Sequence, residues 1–289
     1  MDLKNKVESG VLYIVSTPIG NLKDITLRAL DILKEASIIF AEDTRVSRQL
    51  LQKYAITPPK MLSCHEHNEK ERISQIITAL DNNEVVVLVS DAGTPLISDP
   101  GFIICQNLRE KGYKIVPIPG VSALITALSA SGLPSDAFQF HGFFPVKSTA
   151  RLNLLNSIKP LHMTHIFYES THRITSTLES INNVLADRCI VVAKELTKQY
   201  EHFFIGNAAE IQQKFNDDPL LCKGEFVILI QGEQQTHNTD DTSINSEHVL
   251  SVLLRELPLK QAVKLAADIT GLKKNSLYKK ALALEAHDK

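Results

Sequence analysis

Tryptophan is absent from the 289 residues, and the four cysteines, Cys64, Cys105, Cys189 and Cys222, are scattered with no C-x-x-C pair among them. A disulfide framework or a zinc ribbon needs cysteines in closer register, so the pattern points to separate thiols in a reducing compartment. No apolar run approaches the ~20 residues of a membrane-spanning helix. The opening M-D-L-K-N-K-V-E-S-G lacks the apolar stretch of a signal peptide. These absences predict a cytoplasmic protein with no membrane partner. Net charge is scarce too, with 31 Lys and Arg against 33 Asp and Glu. That balance speaks against binding nucleic acid through bulk charge but leaves room for a local basic face. Neither G-x-G-x-x-G nor G-x-x-x-x-G-K-[ST] occurs, so a standard dinucleotide fold and a P-loop both lose their main support. A G-x-S-x-G elbow is also missing, and nothing suggests covalent catalysis. His65, Glu66 and His67 form the densest ligand-like cluster, but their spacing is not the H-E-x-x-H of a helical zinc site, and no metal is expected.

What the chain does have is alternation. V-L-Y-I-V at 11–15, S-I-I-F-A at 37–41, V-V-V-L-V at 85–89 and a run at 114–117 read as strands. The third is continuous in the way of a parallel strand buried on both faces. Between them come helical patterns. Leu27, Leu30 and Leu33 recur at three-residue steps behind a proposed Asp24 cap, and further helices are predicted at 46–54, 69–80 and 102–111, then from A-L-I-T-A-L-S-A-S-G. Strand–helix alternation over about 10–118 means parallel βαβ units. The second half predicts strands at 164–168, 189–193, 202–205 and 225–230, with helices near 150–158, 173–185 and 208–215. Strands as close as 189–193 and 202–205 suggest hairpins and a mixed sheet.

The expected organisation is a parallel α/β domain (1–120), a mixed α/β domain (121–232), a flexible linker (233–246) without Lys or Arg, and a small helical C-terminal appendage (247–289). From Arg255 to Lys289 there are eight Lys and Arg against four Asp and Glu, a net +4 in a chain that is −2 overall. Such a tail suits a solvated helical face or an electrostatic RNA contact.

Ligands of open parallel sheets sit beyond the carboxyl ends of the strands. Four loops fall there: T-P-I-G-N at 17–21, E-D-T-R at 42–45, the stretch 91–99, and P-I-P-G-V-S-A at 117–123. Most are rich in Gly, Pro and small hydroxyl residues, which let backbone approach a ligand. The third loop repeats S-D-x-G, once at Asp91–Gly93 and again at Asp99–Gly101. Asp91 can accept from a ligand ammonium or ribose hydroxyl, or merely cap its own turn. The second unit is expected to cap the helix that starts near Phe102.

Six ordered stretches now carry a resemblance: V-S-T-P-I-G-N-L-K-D-I-T (15–26), A-E-D-T-R (41–45), S-D-A-G-T-P-L-I-S-D-P-G (90–101), P-I-P-G (117–120), F-Y-E-S (167–170) and A-K-E-L-T (193–197). Together they resemble the tetrapyrrole methylase-like (class III) methyltransferases, which use S-adenosyl-L-methionine. The resemblance covers about residues 11–232, and G-L-K-K-N-S-L-Y-K-K-A-L near the end extends it. It implies two α/β domains with the cofactor in the cleft between them, and a homodimer. It also implies cofactor contacts at Pro18, Gly20, Asp91, Gly93, Ile97, Ser122 and Ala123, with Tyr168, Leu196 and Gly224 bordering adenine and ribose. Where tetrapyrrole enzymes carry a G-D-P-type loop this chain has D-A-G-T-P from Asp91 to Pro95. That departure favours the RNA branch, which methylates the ribose 2′-hydroxyl of a cytidine in the decoding region of small-subunit (16S) ribosomal RNA. A porphyrinoid methylase and a non-catalytic ribosome-assembly or RNA-binding factor are the rivals.

Such a transfer needs a base for the hydroxyl proton or a cation for the developing alkoxide. Glu42 or Asp43 is the candidate base and Arg45 a phosphate contact, with Glu169 and the pair Lys194 and Glu195 across the cleft. Alternatively, residues 42–45 are an ion-paired loop holding the second strand. RNA, rather than DNA, is expected to meet Arg45 and Arg48 on one edge and Lys273, Lys274, Lys279 and Lys280 on the tail, within the small ribosomal subunit.

Overall fold

The computed structural model describes residues 7–234 and 246–287. The first sheet contains β1 (Val11–Val15), β2 (Ile38–Ala41), β3 (Lys60–Ser63), β4 (Val85–Val89) and β5 (Ile115–Ile118), all parallel, in the order β3-β2-β4-β1-β5. Helices α1 (Leu27–Glu35), α2 (Thr44–Lys53), α3 (Glu69–Asp81) and α4 (Phe102–Glu110) complete the crossovers. Because strand side chains alternate, the continuous apolar runs feed two cores. Val11, Tyr13, Val15, Val87 and Val89 pack with Ile32, Leu33 and Leu51. Leu12, Ile14, Val86 and Leu88 pack on the other face with Ile76, Ile104 and Leu108. Each fully buried Leu or Ile of this kind stabilises the fold by roughly 1.5–3 kcal/mol.

Local caps differ from expectation at two places. Asp24 belongs to a one-turn 3-10 helix (Leu22–Asp24), and the cap of α1 is Thr26, whose hydroxyl accepts from the Ala29 N–H at 3.1 Å. Helix α2 begins at Thr44, two residues earlier than predicted, because Asp43 caps it by accepting from the Arg45 N–H at 2.8 Å. Strand β3, which the sequence reading omits, is an edge strand with only half-buried Met61 and Leu62. At the opposite edge, β5 contains Pro117, paired in register with Ile14. The Leu12 N–H donates to the Lys114 carbonyl. By alternation, the Pro117 nitrogen therefore lies on the strand's outer side.

After β5 comes α5 (Ala123–Ser131), then β6 (Phe138–Phe143), α6 (Ser148–Ile158), β7 (Thr164–Ser170), α7 (Ile174–Leu185), β8 (Ile190–Lys194), β9 (His202–Gly206), α8 (Ala208–Asp217) and β10 (Glu225–Ile230). The second sheet runs β6-β7-β10-β8-β9. Only β6 and β7 are parallel, and the hairpin expected between β8 and β9 is present. Side chains from α6, α7 and α8 cover one face, around Phe144, Phe167, Phe215 and Phe226. The other face packs on α5, whose Leu124, Ala127 and Leu128 meet Ile166, Val191, Ala193, Val227 and Leu229.

Residues up to Glu233 form one compact body, and those from Gln234 another. Most of the linker expected at 233–246 lies outside the described residues. The second body consists of α9 (Ser246–Glu256), α10 (Leu259–Thr270) and α11 (Lys274–His287), closed on Leu250, Val263, Ala266, Leu277 and Ala281. Helix α10 stops at Gly271, which takes the left-handed conformation at φ 70°. None of the described helices is long and apolar enough to cross a membrane.

Candidate active site

Beyond the carboxyl ends of β2, β4 and β5, and against the inner face of the second sheet, lies a cavity of about 450 Å³. One wall is the loop after β4. It takes left-handed backbone four times, at Gly93 (φ 88°), Leu96 (75°), Ser98 (65°) and Gly101 (128°). Left-handed residues other than glycine cost on the order of 1 kcal/mol or more each and persist only where neighbours enforce them. Here the enforcement is visible. Thr17 and Gly93 exchange backbone hydrogen bonds of 2.8 and 3.0 Å. The Thr94 hydroxyl donates to the Val121 carbonyl at 2.8 Å and lies 2.9 Å from the Ser16 hydroxyl. The Gly101 N–H donates to the buried Glu69 carboxylate. Three strand ends are thereby stitched into one surface.

Glu42, Asp91 and Asp99 line this cavity. Glu42 accepts from the Asp91 N–H at 3.3 Å, and Asp91 accepts from the Asp43 N–H at 3.0 Å. Burial raises the pKa of all three, reinforced by repulsion from Asp91 and Glu66 at Glu42, from Glu42 and Asp91 at Asp99, and from Asp43 at Asp91, where Arg45 partly offsets it. Asp99 is pushed up to about 6, with the Ser90 hydroxyl partly offsetting the shift. Among the described residues, no Lys or Arg comes within ion-pair distance of any of the three. A half-buried wall of carboxylates with no ion-pair partner, and only Arg45 acting on Asp91 from further off, suits a cation. The buried Ser122 hydroxyl makes no hydrogen bond within 3.5 Å among the described residues, and it lies near the Tyr168 hydroxyl. Gly93 allows close backbone approach, since a Cβ there would touch Ile19 at 3.4 Å. The opposite wall is supplied by Tyr168, Leu196, Phe226 and Val227 from the second sheet, with Phe143 beside Tyr168 at 5.5 Å between ring centres.

Of the residues expected to hold a cofactor, Asp91, Gly93, Ile97, Ser122, Ala123, Tyr168 and Leu196 all line the cavity. Pro18 is buried and does not line it. Gly20 packs against Thr197 and Lys198, where the Asn21 N–H donates to the Thr197 hydroxyl at 3.1 Å. Gly224 (φ 121°) lies against the Glu195 side chain and lines a different cavity. Asp43 is turned to capping α2 and ion-pairing with Arg45 at 2.6 Å, which lowers its pKa to about 2. So acidic a carboxylate is a weak base, and this half of the 42–45 stretch matches the ion-paired loop considered from the sequence. Arg45 and Arg48 are exposed on α2. Glu169 is fully buried and committed, accepting from the Thr177 hydroxyl (2.6 Å) and the Ser170 N–H (2.8 Å) and pairing with Arg173 (2.7 Å). On the tail, Lys273, Lys274, Lys279 and Lys280 are exposed, Lys280 approaching the Ser246 hydroxyl at 3.4 Å. The unit Asp99–Gly101 caps α4 as expected, through Gly101 and without a side chain, and Asp99 itself is the cavity residue that sequence reasoning did not single out. The repeated S-D-x-G was the signal, since both aspartates end on the same wall. His65, Glu66 and His67 follow β3 in a turn rather than continuing it.

A family model described as tetrapyrrole (corrin/porphyrin) methylases matches residues 11–212, and a second, the RsmI C-terminal HTH domain, matches residues 240–285. The chain belongs to the tetrapyrrole methylase family and is a methyltransferase whose cofactor is S-adenosylmethionine. Within it, the chain is 46% identical to the ribosomal RNA small subunit methyltransferase I of Haemophilus influenzae, over 95% of this chain and 97% of that one. Among solved structures, diphthine synthase aligns with a TM-score of 0.61 at 16% identity, covering 78% of this chain and 90% of the other. Uroporphyrin-III C-methyltransferase from Thermus thermophilus, complexed with S-adenosylhomocysteine, aligns at 0.50 and 17% identity over 75% and 96%. These last two likenesses concern the fold. The two-domain α/β architecture and the cofactor inferred from the sequence motifs are thus confirmed.

Proposed function

We propose that the protein methylates the ribose 2′-hydroxyl of a cytidine in the decoding region of 16S ribosomal RNA, acting as a homodimer on the small ribosomal subunit in the cytoplasm. The observation that carries this reading is the near full-length identity to a relative named for small-subunit ribosomal RNA. The porphyrinoid enzymes share only the fold at 20% identity or less. Bound S-adenosylmethionine supplies an activated methyl on a sulfonium. The chain must hold that cation, align the acceptor oxygen and take its proton. Asp91, the Gly93 backbone and Ser122 suit the cationic and polar end, and Ala123, Tyr168 and Leu196 the flatter apolar part. Alignment alone can supply ~7–11 kcal/mol of the barrier. With Asp91 given to the cofactor, the proton falls to Glu42 or Asp99, the other two cavity carboxylates raised toward the operating pH, where a base is most effective. Lys273, Lys274 and Lys279 of the C-terminal helices, with Arg48 of α2, are proposed to meet phosphates, so RNA binding weakens steeply with salt.

The decisive assay is transfer of labelled methyl from S-adenosylmethionine to small subunits lacking the modification. Label in 16S RNA, on a cytidine ribose, is expected. Absence of label there, or label on a porphyrinoid instead, would overturn the proposal.

A further inference from the structure

A second cavity, of about 690 Å³, lies at the same end of the second sheet and involves Lys194, Lys223 and Leu220. Lys194 pairs in register with Phe226, which belongs to the core under α6–α8, so its side chain takes that face of the sheet, away from α5. The residue is 7% exposed, and its ammonium makes one hydrogen bond, to the Leu220 carbonyl at 3.2 Å. Among the described residues, no carboxylate lies within ion-pair distance of Lys194 or of the exposed Lys223. The acids lining the cavity are already engaged. Glu195 accepts from Lys198 at 3.0 Å and from the Glu225 N–H at 2.9 Å, and Glu201 accepts from the Thr197 N–H at 2.6 Å. The carboxylate that feels the Lys194 charge, Glu195, is held by Lys198, so the buried ammonium has no ion-pair partner of its own and suits an anion.

This cavity adjoins the first. Leu196 and Glu225 line the cofactor cavity, while their chain neighbours Glu195 and Gly224 line this one. The Glu195 N–H donates to the Glu225 carbonyl at 3.0 Å, so a single pair of strand ends separates the two sites. On the rim, Tyr200 is 70% exposed and offers a ring face. We propose that this second cavity holds a backbone phosphate of the RNA beside the target nucleotide, through Lys194 and Lys223, with Tyr200 stacking a neighbouring base. The inference rests on the RNA-methyltransferase reading above. Phosphate contacts position the strand, whereas stacking on an aromatic ring suits unpaired RNA.

Lys223→Gln and Tyr200→Ala change exposed residues and test the site without disturbing the core; Lys194→Gln is the stronger variant. With unmodified small subunits, each is expected to raise KM about three- to tenfold. Each should leave kcat and S-adenosylmethionine affinity within twofold, and each lysine variant should lower the salt slope of binding by roughly 0.7–0.9. The proposal is overturned if Lys223→Gln and Tyr200→Ala keep wild-type KM and salt slope, or if Lys194→Gln loses activity only in step with a lowered melting temperature. Were the wild type inactive on every RNA, the parent reading would fall on its own. Binding of a short single-stranded RNA would then decide the cavity, equal affinity of wild type and the Lys194→Gln/Lys223→Gln double variant refuting it.

Discussion

On its first-domain side the proposed cofactor cavity is bounded by backbone held in left-handed turns and by carboxylates without an ion-pair partner. On the other side it is bounded by Tyr168 and Val227, side chains standing on strands whose backbone is committed to the sheet, and by Leu196 in the turn that follows β8. The first wall is costly to build, because its conformation is maintained by Thr17, Val121 and Glu69 from outside the loop. The strands of the second cost little beyond ordinary packing, and left-handed backbone enters that wall only in the turn around Leu196, at Glu195 (φ 50°) and Thr197 (φ 66°). The difference teaches where change should hurt. Alterations to the loop wall reach chemistry and folding together, whereas alterations to the sheet wall reach affinity and core packing but not the chemical step, since Leu196 and Val227 are also core residues.

The largest effect should come from the acids. Asp99→Asn and Glu42→Gln are made separately, and the variant that lacks the base should lose ~10²–10⁴-fold in kcat. If Asp99 is that base, its ionised form is the active one. The wild-type rate then climbs as pH rises through about 6 and levels above it, and Asp99→Asn removes that limb. Near-full turnover in both variants would break the contrast between the walls. Asp43→Asn, outside the cavity, should change kcat by less than about twofold, since asparagine still caps α2.

Next comes Gly93→Ala, which places a Cβ at φ 88° and 3.4 Å from Ile19. A destabilisation of about 1–2 kcal/mol in chemical denaturation is expected, together with at least tenfold weaker S-adenosylmethionine binding by calorimetry. Smallest should be Leu196→Ala, on the opposite wall. It should weaken cofactor binding about three- to tenfold while kcat at saturation stays within twofold. A Leu196→Ala variant that lost kcat as heavily as the acid variants would make the two walls equivalent.

The parallel half of the fold was readable because strands such as V-V-V-L-V are buried on both faces and leave a continuous apolar run. Edge strands left no such run. K-M-L-S of β3 is half exposed, and F-Q-F-H-G-F of β6 contains Gly142 at φ 71° within an irregular pairing between Phe140 and Phe143. At the site, residues whose role is local to a strand end, such as Gly93, Ser122 and Tyr168, could be placed from motifs. Asp99 and Asp43 could not. Whether an aspartate caps a helix or faces a ligand depends on which other strand ends are brought beside it. The cap on α2 claimed Asp43, while Glu42 and Asp91 gathered around Asp99.

Pro117 bears on assembly. An exposed sheet edge invites another chain to add a strand, and this edge offers one donor fewer in the middle of β5. Side-by-side sheet extension there is disfavoured from the outset, in aggregation as in dimerisation. A partner copy docking on this flank would do so through side chains rather than by continuing the hydrogen-bonded ribbon.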